Sequence, residues 1–387
     1  MTAAGVSALI GIVAGEPSGD LLGAELVAAL RRRAPGLRFT GIAGPKMMAA
    51  GVETLYPMDK LAVRGYVEVL RHYREIIGIR AGLKRHFLST RPAAFIGIDA
   101  PDFNLELESA MKSAGIPSIH YVSPSIWAWR GGRIRRIRRS VSRMLTVFPF
   151  EAALYERAGV PVTYVGHPLA DMLARAPGRA VARAGLRLAE TAPVVALLPG
   201  SRVSELEQLA DLFVAAAERI AAAVPGVQLL VPLVNRQTFE LFEAALYRRT
   251  SGTLDIKLLF GHAHEAMAAA DVVLVASGTA TLEAALLQRP MVITYRMPRL
   301  SWWIMNCRRY QPWVGLPNIL AGEFVVPELL QDAATPDALA SAVIELLNDK
   351  PRCDTIERRF AAMAAELQQG AAERAAEAVL AELGGPQ

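Results

Sequence analysis

Ser7-Ala8-Leu9-Ile10-Gly11-Ile12-Val13-Ala14-Gly15-Glu16-Pro17-Ser18-Gly19-Asp20 reads as the end of one element and the start of another. Residues 7–14 form a short apolar run, as a strand buried on both faces requires. The run breaks at Gly15-Glu16. From residue 19 to 33 the apolar residues recur at helical spacing. A strand, a glycine-rich bend and a helix make a βα unit. The same alternation recurs downstream, with strand-like runs at 38–43, 93–98, 118–122, 144–148 and 160–165. Such a rhythm predicts a parallel sheet covered by helices, with ligands gathered at the carboxyl ends of its strands.

After a polar stretch with Pro and Gly at 166–191, the rhythm restarts. Strands are expected at 194–198, 227–232, 256–260, 272–276 and 291–295, and helices at 204–223 and 279–288. The 387 residues thus divide into two doubly wound α/β domains. The expected divisions are 1–168, 169–350 and a helical tail, 351–387. The Ala-rich helices filling 336–383 are expected to pack back on the first domain. No internal repeat is evident.

Composition narrows the class. Hydrophobic residues make up 52%, enough for large cores, and no run reaches the ~18–20 apolar residues of a membrane-spanning helix. Met1-Thr2-Ala3-Ala4-Gly5 lacks the charged start of a signal peptide. Cys307 and Cys353 are the only cysteines, which points to a reducing compartment without disulfides or structural zinc. The formal charge of +5 permits an anionic partner without choosing one.

Two loops of the second domain share a design. Leu198-Pro199-Gly200-Ser201-Arg202 joins a strand to a helix. A helix start with Gly200 and Ser201 leaves backbone N–H groups to face an anion, and Arg202 adds a forked donor suited to phosphate. Ala276-Ser277-Gly278-Thr279-Ala280-Thr281 opens another helix, with Glu283 placed to bind ribose hydroxyls. The plainer alternative is that Ser201, Thr279 and Thr281 cap helices and Glu283 favours a helix start. No Walker motif or GxGxxG occurs, which weakens ATPase and NAD readings.

In the first domain, Glu16, Ser18 and Asp20 crowd the sheet's carboxyl edge. Glu16 either orients a sugar or belongs to a tight turn capped by Ser18 or Asp20. Asp99, ending the strand of Ile96-Gly97-Ile98-Asp99-Ala100-Pro101-Asp102-Phe103-Asn104, is placed to act as general base on a sugar hydroxyl; Asp102 reads as a turn or cap residue. Trp127 and Trp129 follow a strand and suggest an amphipathic or sugar-contacting surface, although core packing explains one of them. Arg130, Arg133, Arg135, Arg136, Arg138, Arg139 and Arg143 lie among apolar residues at helical spacing. They form a solvated helix face, or a site for anionic lipid, a lipid phosphate or nucleic acid. Residues 63–83 are either an ordinary amphipathic helix or a membrane-facing patch. His262 and His264 lack companions for a metal site, and His120 and His167 either line the site or are buried.

These motifs, together with His120-Tyr121-Val122-Ser123-Pro124-Ser125-Ile126-Trp127-Ala128-Trp129 and Leu316-Pro317-Asn318-Ile319-Leu320, resemble those of the lipid-A-disaccharide synthase family, in order from about residue 7 to 330. Residues 302–311 and the tail past 336 carry no such motif. The resemblance implies a GT-B fold, two Rossmann-like domains facing a cleft, and an inverting transfer with no cofactor and no metal. It implies UDP-2,3-diacylglucosamine as donor, 2,3-diacylglucosamine 1-phosphate as acceptor, and UDP with a β-1,6-linked disaccharide 1-phosphate as products. Asp99 would take the acceptor proton and Glu16 position a sugar. Arg202, with Gly200, Ser201, Ser277, Gly278 and Thr279, would stabilise the diphosphate, and Glu283 would hold the ribose. Asn318 would bridge phosphate and sugar, unless it is a turn residue. Also implied are a Gram-negative cell, a cytoplasmic enzyme held peripherally at the inner membrane, and a homodimer, with C-terminal exchange as one form.

Three rivals remain. Another enzyme of the same fold would act on UDP-GlcNAc, as a 2-epimerase or with a polyprenyl-linked acceptor. A nucleic-acid-binding protein would use the arginine run but leave both anion loops without purpose. A non-catalytic lipid scaffold would show no turnover.

Overall fold

The computed structural model describes residues 8–61, 66–127, 131–249, 254–306 and 310–384. The chain divides into two compact units, one running to Pro168 and including the residues from Leu367 on, the other Leu169–Glu366. Trp129, Arg130, Cys307 and the start of the 63–83 segment lie outside the described residues, as do the side chains of residues 66–73.

The first unit is built on seven parallel strands: β1 (Leu9–Ala14), β2 (Arg38–Ala43), β3 (Val52–Pro57), β4 (Ala94–Ile98), β5 (Ser118–Tyr121), β6 (Arg143–Thr146) and β7 (Val162–Tyr164). Their order is β3-β2-β1-β4-β5-β6-β7. β1 and β4, at the centre, are almost wholly buried, which is why their sequences are nearly all apolar. Gly41 accepts this packing only because it lacks a side chain: a Cβ there would lie 1.9 Å from the Ile12 carbonyl oxygen. The helix Tyr66–Thr90 turns Ile79, Leu83 and Phe87 onto Phe95, Phe103, Leu107 and Met111. Ile77 faces outward, so the described part of 63–83 is an amphipathic helix covering the core.

The second unit has six parallel strands: β8 (Val194–Leu198), β9 (Gln228–Leu233), β10 (Ile256–Phe260), β11 (Val272–Ala276), β12 (Met291–Tyr295) and β13 (Glu328–Leu330). Their order is β10-β9-β8-β11-β12-β13. The helix Val203–Ala223 buries Leu206, Leu209, Phe213 and Ile220. Two doubly wound α/β units are therefore present, as the alternation of runs predicts. β3 and β13 were not expected. Both are edge strands, and neither is apolar enough to stand out.

The tail corrects one expectation: of the helices in 336–383, only the last belongs to the first unit. Pro336–Asn348 turns Leu339, Ala340, Val343 and Leu346 into the second unit, beside Val203–Ala223. Lys350–Leu367 follows, burying Cys353, Ile356 and Phe360, with Glu357 paired to Arg179 at 3.0 Å. The helix Ala371–Gly384 then docks on Pro17–Arg33. Ala375 and Val379 are buried there, and Arg33 reaches Glu373 and Glu377, each at 2.8 Å. Those ion pairs are solvated and weak, so the apolar contact holds the helix.

Asn318 corrects another expectation. It is fully buried. Its amide nitrogen donates to the Val326 carbonyl and the Glu328 carboxylate, both at 2.9 Å, while its oxygen accepts from the N–H groups of Val325 and Val326. Glu328 also accepts from Val314 and Gly315. Asn318 thus clamps the chain before β13, and its polar atoms are spent inside the unit.

Two consequences are measurable. Val379→Asp would bury an unpaired carboxylate and should cost about 3 kcal/mol or more of stability; an unchanged thermal midpoint would mean that the last helix is not docked. Asn318→Ala should cost about 3 kcal/mol by orphaning buried N–H groups, leaving the donor KM of the folded enzyme unchanged. A raised donor KM with full stability would instead return Asn318 to the binding site.

Candidate active site

Each sheet reverses its winding direction beside its first strand, and helices leave a crevice at the carboxyl ends there. In the first unit the reversal lies between β1 and β4, with Ala14 paired to Ile98. The Glu16 bend and Asp99 follow those two residues, so residues more than eighty positions apart share one edge. A Cβ on Gly15 would lie 2.8 Å from that of Ala100, so the two loops touch and only glycine fits.

Asp99 and Ala100 both adopt left-handed backbone, with φ of 49° and 43°. For residues with a Cβ this conformation costs roughly 1–2 kcal/mol each. The turn is held by the Asp99 N–H donating to the Tyr121 carbonyl at 2.9 Å and by the Asn104 amide donating to the Asp99 carbonyl at 2.8 Å. Strain of this kind, imposed by surrounding hydrogen bonds, gathers where a side chain must be aimed. Asp102 lies in the first turn of the helix Pro101–Ser113, whose N-cap is Ala100, and pairs with Arg133 instead of capping the helix. Asp20 is buried and accepts from the N–H groups of Lys46 and Met47, each at 2.9 Å, so it caps the next short helix, not its own.

Trp127 is anchored inward. Its indole N–H donates to Glu151 at 3.0 Å, and its ring meets Phe150 edge-on. Burial pushes the Glu151 carboxyl up to about 7. Ser123 bonds the Tyr155 hydroxyl in the same buried group. Arg143 pairs with Glu382, whereas Arg135, Arg136, Arg138 and Arg139 are exposed.

In the second unit the reversal falls between β8 and β11, where Leu198 pairs with Val275. It places Gly200, Ser201 and Arg202 beside Ser277, Gly278 and Thr279. The first loop corrects the expectation of free donors. Glu205 accepts from the N–H groups of Ser201 and Arg202, at 2.9 and 3.2 Å, and from the Arg202 guanidinium at 2.7 Å. A carboxylate of the chain itself therefore occupies the anion seat. Gly200 permits this: at φ 130°, a Cβ would lie 2.7 Å from the Glu205 side chain.

The second loop is more open. Gly278 and Thr279 are exposed at the start of the helix Thr279–Leu286, where the Thr281 N–H donates to the Gly278 carbonyl at 3.1 Å. Ser277 is tied down, its hydroxyl donating to the Val314 carbonyl at 3.1 Å. Thr281 is buried and bonds the Gly278 carbonyl, so it shapes the turn. Glu283 meets His264 at 3.1 Å, and that hydrogen bond raises the imidazole above its ordinary value. The sequence, where His264 is weighed only as a metal ligand, does not show this pairing, because its helix, Ala263–Ala269, comes beside Thr279–Leu286 only in the fold. Among the described residues no group of three or more His, Cys, Asp or Glu is arranged to hold a metal ion.

The family model described as lipid-A-disaccharide synthetase matches residues 10–382. The lipid-A-disaccharide synthase of Methylobacillus flagellatus is 56% identical over 371 residues, covering 96% of this chain and 98% of that one. That of Azoarcus sp. (strain BH72) is 57% identical, covering 96% and 95%. Among solved structures, the calicheamicin glycosyltransferase CalG4 superposes with a TM-score of 0.62 at 17% identity, over 97% of this chain and 98% of that one. A putative UDP-N-acetylglucosamine 2-epimerase from Listeria monocytogenes gives 0.63 at 13%, over 96% and 94%. The fold is thus shared by transferases and epimerases alike, and sequence identity separates them. Matched along nearly its whole length, with its motif loops at the two winding reversals, the chain belongs to the lipid-A-disaccharide synthase family of glycosyltransferases.

Proposed function

We propose that this enzyme joins UDP-2,3-diacylglucosamine to 2,3-diacylglucosamine 1-phosphate, releasing UDP and the β-1,6-linked disaccharide 1-phosphate. The observation that carries this reading is the identity of more than half of all positions with lipid-A-disaccharide synthases over 96% of the chain. The acceptor belongs to the Glu16–Asp99 edge and the donor to the Arg202–Glu283 edge.

Transfer with inversion has the acceptor hydroxyl attack the anomeric carbon opposite the departing UDP. Asp99 takes the hydroxyl proton, and Glu16 orients a sugar. Charge growing on the diphosphate is met by Arg202 and the helix starts at Ser201 and Ser277–Thr279. Glu283 binds the ribose, with His264 holding the carboxylate. These donors replace the neutralising role of a metal, and no cofactor takes part. At the first helix start, the diphosphate takes over the N–H groups that Glu205 holds.

Membrane placement is part of the proposal. No described helix is long and apolar enough to cross a membrane. Two acylated substrates favour an enzyme lying on the cytoplasmic face of a Gram-negative inner membrane, where the exposed arginines 135, 136, 138 and 139 suit anionic lipid. A homodimer rests on the family resemblance alone. Nucleic acid has no place in this reading.

UDP release with both acylated substrates, followed by the mass of the product, tests the reaction. Efficient turnover of unacylated UDP-GlcNAc would overturn the donor assignment. Arg202→Ala should lower turnover at least ~100-fold, the size expected for one lost donor to developing charge. Asp99→Asn should lower it by ~100-fold or more; a folded variant with near-normal turnover would show that another group is the base.

A further inference from the structure

The Ser-Pro-Ser-Ile-Trp segment leaves β5 through a strained residue. Val122 has a φ of 76°. For a β-branched side chain that is an outlier, and the surroundings must impose it. The Val122 N–H donates to the Leu145 carbonyl at 3.1 Å, where β6 runs alongside. One residue on, the Ser123 hydroxyl bonds the Tyr155 hydroxyl at 2.8 Å. At the far end, the Trp127 indole N–H donates to Glu151 Oε1 at 3.0 Å. Glu151 and Tyr155 stand one turn apart on a single helix, Pro149–Arg157. That helix therefore grips the segment at both ends.

Glu151 is 1% exposed and Tyr155 0%. The second Glu151 oxygen accepts from the Phe148 N–H at 3.1 Å, which closes the helix start. Capping alone does not explain so deep a carboxyl. An exposed carboxylate caps a helix as well, without the cost of burial that raises Glu151. What the buried position adds is the bond to Trp127. Aromatic packing supports it: the Trp127 ring meets Phe150 edge-on, and Phe150 stacks on Phe148.

The place of the segment gives this grip a use. The segment follows Tyr121, whose carbonyl accepts the Asp99 N–H at 2.9 Å. Farther along the chain, Arg133 pairs with Asp102, in the first helical turn after Asp99. The chain after β5 is thus fixed to the Asp99 loop at two points. Within residues 122–127, Ser123, Pro124 and Ile126 are buried, and Ser125 is exposed.

We propose that Glu151 and Tyr155 are positioning residues for the acceptor: they hold the Ser123–Trp127 segment in its strained turn, so that the Ser125 hydroxyl stands at the Asp99 edge and binds the acceptor sugar. A neutral hydroxyl both donates and accepts, which suits the hydroxyls and amides of an acylated amino sugar. This inference rests on the acceptor lying at the Glu16–Asp99 edge, as proposed above.

The test compares acceptor KM, kcat, UDP dissociation constant and thermal midpoint in Glu151→Gln, Trp127→Phe and Ser125→Ala. Glutamine accepts on one side only, so either Trp127 or Phe148 loses its partner. Phenylalanine at 127 keeps the packing on Phe150 and removes the indole N–H. Each variant should raise the acceptor KM roughly 10-fold, the size of one lost hydrogen bond, with UDP binding unchanged. Glu151→Gln and Trp127→Phe break the same bond. Their double variant should therefore be no worse than the poorer single one.

Folded variants that lose kcat or stability while the acceptor KM stays put would make the grip structural and overturn the proposal. If Glu151→Gln fails to fold, Trp127→Phe and Ser125→Ala decide, since both leave that carboxylate in place. If Asp99→Asn lowers turnover while every segment variant keeps its acceptor KM, the acceptor edge stands and the positioning role falls. If the variants weaken UDP binding and spare the acceptor KM, the segment serves the donor, and the placement of the acceptor falls as well.

Discussion

The constraint on which the rest depends is the point where each parallel sheet reverses its winding. Strands β1 and β4, and again β8 and β11, run side by side with helices leaving in opposite directions. At their carboxyl ends the chain cannot be covered by its own helices, so polar loops find room there and nowhere else in the sheet. The Glu16 bend and Asp99 follow the paired strand ends at one such point, and the segments carrying Arg202 and Glu283 follow those at the other. The almost uninterrupted burial of those four strands makes both edges rigid enough to aim side chains.

Anionic side chains organise both sites. Glu205 holds the N–H groups and guanidinium that suit a phosphate, Glu283 is held by His264, and Glu328 receives the backbone before β13. A carboxylate that satisfies such donors keeps a loop ordered, and it also marks where another anion fits. The Asp99 turn follows the same logic in reverse. Two strained residues are held by bonds from below, and the buried Glu108–His120 pair sits two residues deeper along the strand.

Asp99 and Asn318 show how far motif reading carries. In sequence both are polar residues in a motif beside Pro, and both were assigned to the site. Asp99 stands half-buried at the end of a strand. Asn318 is enclosed, and its four hydrogen bonds leave nothing for a ligand. Polarity is a local property, whereas burial depends on chain segments that sequence spacing does not reveal. For the same reason spacing left Trp127 between a surface and a core role, and its bond to Glu151 favours the inward one.

By itself the sequence determined the alternation of strands and helices, the restart after residue 168, the loops at the strand ends and the family, because each is written in local periodicity or in motif strings. Short edge strands such as Glu328–Leu330 escaped, lacking an apolar signal. Only the tertiary structure decided that the last helix belongs to the first unit, that His264 reaches Glu283, and that Glu108 and His120 meet beneath Asp99. Each of these depends on elements brought together through packing. A carboxylate and an imidazole twelve residues apart become one ionisable unit only when a helix and a strand close over them and exclude water.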